Sequence, residues 1–156
     1  MLAVYIDSNI ISYLTARPSR DIVNLAHQQV THEWWDRDRH AFDLYVSELV
    51  LFEISRGDRE AAKSRLQFVE GLPVVRLNSA ARTLAAQIFR NTTLPDKAAS
   101  DALHMALAAV NGMHFLLTWN CTHLANGVIL RGVNRVCREA GYEPPIVLTP
   151  EELLSL

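Results

Sequence analysis

The sequence predicts an α/β protein, a three-layer α/β/α sandwich on a mostly parallel sheet of four to five strands. Two observations carry that reading. Five short apolar runs alternate with stretches of helical periodicity. The runs are apolar on both faces, which suits a parallel sheet covered by helices on each side. A chain of 156 residues is enough for one domain with a single core, assigned here to 1–156.

The elements follow in order. "LAVYID" (2–7) is the first strand, followed by a short helix over 9–15 and a longer one over 20–40 that Ser19 is placed to cap. "FDLYVS" (42–47) is the second strand. Two helices, 48–56 and 58–70, are broken at Gly57, and the second ends at Gly71 before Pro73. "PVVRL" (73–77) is the third strand, followed by helices over 79–91 and 96–111, with Gly112 closing the latter. "HFLLTW" (114–119) is the fourth strand, 122–140 a helix stopped by Gly141, and "PIVLT" (145–149) the fifth strand. There is no internal repeat, low-complexity segment or long linker.

Fifteen Lys and Arg face seventeen Asp and Glu. No whole-protein field therefore favours nucleic acid, although a local basic patch stays open. Cys121 and Cys137 have neither C-x-x-C nor metal-finger spacing and are read as reduced packing thiols. No basic n-region followed by an apolar stretch opens the sequence, so a signal peptide is not expected. The longest apolar stretch, "ALHMALAAV" (102–110), falls far short of the ~18–20 residues that span a bilayer and carries His104. The expectation is a cytoplasmic, soluble domain.

A strand covered on both faces ends at Asp7, followed by Ser8 and Asn9. The acid either caps the helix that begins near Ser8 or belongs to a charged site. Parallel sheets place their sites beyond the carboxyl ends of the strands. Asn120, just past the fourth strand, can share that rim with Asp7. Glu53 in "ELVLFEISRGD" and Asp101 in "DKAASDALHMALAAV" lie on helices amid apolar neighbours, where an acid is costly unless paired or bound to metal. Taken singly, Glu48 and Glu53 read equally as exposed helix charges and Asp101 as a first-turn acid favoured by the dipole. His104 reads as a packed or hydrogen-bonded core histidine rather than a ligand. His123 lies in the short turn after Asn120, from which it can reach the site.

Taken together, these acids argue for more. Two like charges ~4 Å apart cost about 4 kcal/mol at an effective dielectric of ~20. Proteins resolve this by protonating one acid or binding a cation. Hard oxygen ligands without Cys or a His-x-x-x-His pair suit Mg²⁺ or Mn²⁺. Such ions polarise phosphoryl oxygens and acidify water, the chemistry of phosphodiester hydrolysis.

Asp7-Ser8-Asn9 after the first strand, Glu53 in "LVLFEISRGD", Asp101 in "SDALHMALA" and Asn120 after "LLTW" resemble the PIN-domain nucleases, and among them the VapC-like toxins of type II toxin–antitoxin systems. The resemblance runs from residue 2 to about residue 149. It implies a compact α/β/α domain and metal-dependent endoribonuclease activity. Asp7, Glu53 and Asp101 match the family's three acids, and Ser8 its small hydroxyl residue, which helps order the site. Asn120 falls where many members have a fourth Asp. That departure removes a charge and weakens the case for a second metal, although an amide oxygen still ligates a cation or orients water. The resemblance also implies a homodimer and a small antitoxin partner.

Toward RNA, Arg131, Arg135 and Arg138 form one stripe on a helix, either contacting successive phosphates or simply solvated. Trp119 either stacks a base beside Asn120 or packs at the strand end. Trp34 and Trp35, followed by "DRDRH", suggest a protein interface with a charged rim. Rival readings are weaker in their motifs. An aspartate-nucleophile phosphatase wants a second acid where Asn9 stands, a receiver domain wants a Lys after its last strand, and no G-x-x-x-x-G-K loop is present. A catalytically impaired PIN-like module that binds RNA or a partner remains a second reading.

Overall fold

The computed structural model describes residues 1–154, so the last two residues of the expected domain lie outside the described residues. Five strands form one sheet: β1 Leu2–Ile6, β2 Phe42–Ser47, β3 Val74–Val75, β4 Phe115–Leu117 and β5 Ile146–Leu148. Every pairing is parallel, in the order β3-β2-β1-β4-β5. The helices are α1 Ser8–Thr15, α2 Ile22–Arg37, α3 Glu48–Ile54, α4 Arg59–Phe68, α5 Ser79–Asn91, α6 Ala99–Val110, α7 Gly127–Glu139 and α8 Pro150–Leu154.

The strand order dictates the layers. From β1 the chain steps to β2 and β3 in one direction, then crosses to β4 and β5 in the other. Right-handed crossovers put connections running in opposite directions on opposite faces. The helix packing follows: α1 meets α2, α3 and α4, while α5 meets α6 and α7. The reversal at β1 and β4 is a topological switch point, where such folds open a crevice past the strand ends.

The core forms because the apolar periods are met. Val4, Tyr5 and Ile6 of the central strand are fully buried, as are Ile10 and Ile11 of α1 and Ala106, Leu107 and Ala108 of α6. Gly112 and Gly141 end α6 and α7 with φ of +67° and +91°, a conformation that side-chain-bearing residues rarely adopt.

The boundaries differ from expectation in physically legible ways. Asp21, not Ser19, caps α2, by accepting from the Asn24 N–H. Ser19 instead accepts from the Asp21 N–H in the preceding turn. Residues expected to begin a helix at 122 form a turn, and α7 starts after Asn126, whose side chain accepts from the N–H groups of Val128 and Ile129. The short α8 is an addition; Thr149 and Glu152 form a reciprocal capping box, with Pro150 at the first helical position. Trp34 and Trp35 are core residues, not an exposed interface. Trp34 is fully buried and Trp35 packs against Phe68, with the Arg39 guanidinium over its ring. Cys137 is buried, and that burial pushes its thiol up to about 11, whereas Cys121 is exposed and not a packing residue.

Candidate active site

Asp7 caps α1 and is also part of a buried cluster, so both readings of that acid hold. It lies at the carboxyl end of β1, where its own N–H donates to the Leu117 carbonyl of β4. Its carboxylate is 5% exposed and accepts from the Ser8 N–H at 2.7 Å, the Thr118 hydroxyl at 2.7 Å and the Asn9 side-chain amide at 3.0 Å. Hydrogen bonds to a charged group each contribute about 1.5–3 kcal/mol, which is how a buried acid is tolerated here. Asn9 holds the rim together further: its amide also donates to Thr118, and its carbonyl oxygen accepts from the Trp119 N–H.

Glu53 reaches the same rim from α3, whose inward side is set by the buried Val50 and Ile54. The Ser8 hydroxyl donates to its Oε1 at 2.5 Å, so Ser8 steadies Glu53 with its side chain and Asp7 with its backbone. His104 of α6 lies between the two acids. Its Nε2 is 2.7 Å from Glu53 Oε1 and 3.5 Å from Asp7 Oδ1, and its Nδ1 is 2.8 Å from the Tyr5 hydroxyl. That hydroxyl in turn bonds Ser47, which caps α3 through the Val50 N–H.

The electrostatics follow from this contact. Burial disfavours a charged His104, but the Asp7 carboxylate and the hydrogen bond and charge of Glu53 outweigh it and raise its pKa above 6.5. Burial likewise works against an ionised Glu53. The His104 hydrogen bond and charge, the Ser8 hydroxyl and Arg56 overcome it and hold the carboxyl below its ordinary 4.5.

Asp101, in the first turn of α6, forms a separate group. Its Oδ1 accepts from the Asn120 side-chain amide at 3.1 Å, and its Oδ2 is 3.0 Å from His123 Nδ1. Asn120 Oδ1 accepts from the His123 N–H, so both ends of that amide are engaged. Burial and the Asp7 charge raise the Asp101 carboxyl above 3.8 despite the His123 contact.

The sequence therefore named the acids and missed what joins them. His104 is hydrogen-bonded and core-packed as expected, yet it is also the link between Asp7 and Glu53. Asn9 and Thr118 were not singled out. A polar residue two positions after a strand-end acid and another at the tip of the neighbouring strand were the available signals.

The residues expected to meet RNA stand apart. Trp119 is 9% exposed; its ring stacks on His27 and its Nε1 donates to Thr31. A base could use that face only by displacing His27, so packing accounts for Trp119. Arg131, Arg135 and Arg138 are exposed on α7. Arg135 lies 3.9 Å from Glu139 and Arg138 3.2 Å from Glu143, while Arg131 has no acid partner among the described residues.

Among the described residues, Asp7, Glu53 and His104 form a group whose ligand atoms all lie within 4.8 Å of one another. Two oxygens on one octahedral Mg²⁺ stand ~3–4 Å apart, given bonds of about 2.0–2.1 Å. Asp7 and Glu53 supply carboxylate oxygens, the donor type that a hard divalent cation takes.

No curated protein matches the chain. Among solved structures it resembles VapBC2 from Rickettsia felis, crystallised with a DNA fragment from its promoter, with TM-score 0.59 and 12% identity over 95% of this chain and 98% of that one. It also resembles VapC20 of Mycobacterium tuberculosis, described as a sarcin–ricin-loop-cleaving toxin, with TM-score 0.60 and 13% identity over 91% and 99%. Identities this low speak to the shared fold. The PIN domain profile matches residues 4–120, a span from β1 to Asn120 that contains all three acids, and the chain belongs to the PIN domain family.

Proposed function

We propose that this chain is a Mg²⁺- or Mn²⁺-dependent endoribonuclease and the toxin of a type II toxin–antitoxin pair. The observation that carries the proposal is the meeting of Asp7 and Glu53 at the switch point, with His104 between them. Family membership and the toxin neighbours support the same reading. No helix among the described residues is long and apolar enough to cross a membrane, and we assign the protein to the cytoplasm, as a homodimer controlled by a small antitoxin protein.

Asp7, Glu53 and Asp101 would hold the cation. When bound, the ion polarises a phosphoryl oxygen and lowers the pKa of a water molecule. The chain's own residues do the rest. Thr118, Asn9 and the Ser8 N–H fix Asp7, while Ser8 and His104 fix Glu53 in its ionised form. Asn120, with both ends of its amide engaged, orients Asp101 and the turn carrying His123. This replaces the direct-ligand role expected from its position. Arg131, exposed on α7 and with no acid partner among the described residues, is the arginine of the stripe left free for a phosphate.

RNA cleavage with Mn²⁺ added or chelated tests this, comparing wild type with Asp7→Asn and Asp101→Asn. Chelation should stop cleavage. Asp7→Asn should slow it ~10³-fold, the scale of several kcal/mol of lost electrostatic stabilisation. Unchanged cleavage in both variants would remove this site from the reaction. Metal binding without cleavage of any RNA would favour the catalytically impaired module, a reading that the engagement of Asp101 with Asn120 and His123 also suits. A covalent phosphate on Asp7 would identify the phosphatase instead.

A further inference from the structure

Beside the acids lies an aromatic group that the proposed chemistry does not use. The His27 imidazole of α2 lies flat on the Trp119 indole, with ring centroids 4.0 Å apart and planes 10° from parallel. Tyr13 of α1 meets both rings at a tilt, 6.2 Å from His27 and 6.4 Å from Trp119. Trp119 is locked beneath: its Nε1 donates to Thr31 Oγ1, which donates to the His27 carbonyl one helical turn back. The group is tied to the reaction centre, because the Trp119 N–H donates to Asn9, and Asn9 donates to Asp7. Asn120 is the next residue along the chain.

His27 is the outward member of this stack. Trp119 is buried, whereas His27 is only half-buried. Its ring nitrogens have no hydrogen-bond partner among the described residues, unlike those of His104, His114 and His123. An imidazole backed by a rigid indole, only partly covered and with its polar edge unspent, has the properties of a base-stacking surface. Unpaired RNA bases stack on aromatic rings, histidine included, and are read at their polar edges.

We propose that His27, seated on Trp119, is a platform for one unpaired base of the RNA strand whose backbone crosses the Asp7–Glu53 rim. The proposal rests on the ribonuclease reading and adds a base subsite to it. It moves the stacking role expected of Trp119 to the ring that covers it.

The test uses a short, fluorescein-labelled single-stranded RNA of mixed sequence. Binding to wild type, His27→Ala, His27→Leu and His27→Phe is followed by anisotropy in EDTA, and cleavage of the same RNA in Mn²⁺. Loss of one base stack weakens binding about 5- to 150-fold. That loss is expected for Ala and Leu, with Phe near wild type and melting temperatures of Leu and Phe alike. Leu binding as well as Phe would mean the ring only fills space, and overturns the platform. So would undiminished binding by Ala, or no binding by wild type. The cleavage arm separates the two claims. Cleavage by wild type with an unchanged KM in His27→Leu overturns the platform and spares the nuclease. Absence of cleavage by wild type overturns the nuclease and leaves the platform to the binding result.

Discussion

Glu53 and Asp101 are both partly buried carboxyls in contact with a histidine, yet Glu53 is held below its ordinary pKa and Asp101 above it. The difference lies in what surrounds each contact. Glu53 shares His104, a fully buried imidazole whose charged form Asp7, Glu53 and Asp101 all favour, and it gains the Ser8 hydroxyl and Arg56. Asp101 has His123, but burial and repulsion from Asp7 outweigh that contact. In one half of the rim, His104 offsets part of the charge of the two acids it touches. At the other, the His123 contact and the charges of His123 and His104 offset burial and the Asp7 charge only in part, so the Asp101 carboxyl stays above its ordinary value.

The sharpest way to break this comparison is to remove the internal cation. His104→Ala leaves Asp7 and Glu53 without the imidazole that lies between them. Breaking a buried charged pair from one side costs about 3–5 kcal/mol. A large fall in melting temperature is expected in metal-free protein, partly restored by Mn²⁺; a variant as stable as wild type would show that the acids are not coupled through His104.

Titrating the metal-free protein sharpens the contrast further. The raised His104 pKa means its stabilisation is fully present below pH 6.5 and is lost as pH rises through the folded value, above 6.5. The depressed Glu53 pKa means its stabilisation is present above 4.5 and lost as pH falls through its lower folded value. Asp101 acts in the opposite sense to Glu53, since its raised pKa favours the folded state as it protonates. Chemical denaturation across pH should show stability falling as pH rises from 6.5 through the His104 transition. A flat profile from pH 5 to 9 would contradict the assignment.

A smaller effect is expected at the other half. His123→Ala frees one oxygen of Asp101 and should weaken Mn²⁺ binding roughly 10- to 100-fold, the usual loss when a residue that orients a metal ligand is removed. Calorimetric titration measures it, and His123→Asn, which can still reach Asp101 with an N–H, should recover part of the affinity. Equal affinities in all three proteins would take Asp101 out of the metal site.

The fold was legible because alternation and two-sided apolarity are local properties. "LAVYID" could hardly be anything but a covered strand, and Gly57, Gly71, Gly112 and Gly141 do end or break helices, all at positive φ. The acids were legible because a carboxyl amid apolar neighbours demands an explanation. The pairing among them was not, since His104 and Glu53 are 51 residues apart and only the α6 packing brings them together. Trp34 and Trp35 misled for a similar reason. The polar run that follows them suggests a surface, but both indoles turn inward against Phe42 and Phe68. Thr149-Pro150-Glu151-Glu152, by contrast, was a readable capping box that announces α8.

Diffraction from crystals soaked in Mn²⁺, recorded for anomalous scattering, probes the rim with least intervening inference. An ion ligated by Asp7 and Glu53 at ~2.1 Å, with Asp101 completing the set, is the expected result. A peak that touches neither Asp7 nor Glu53, or no peak at the end of β1, would mean these carboxylates gather for structural reasons alone.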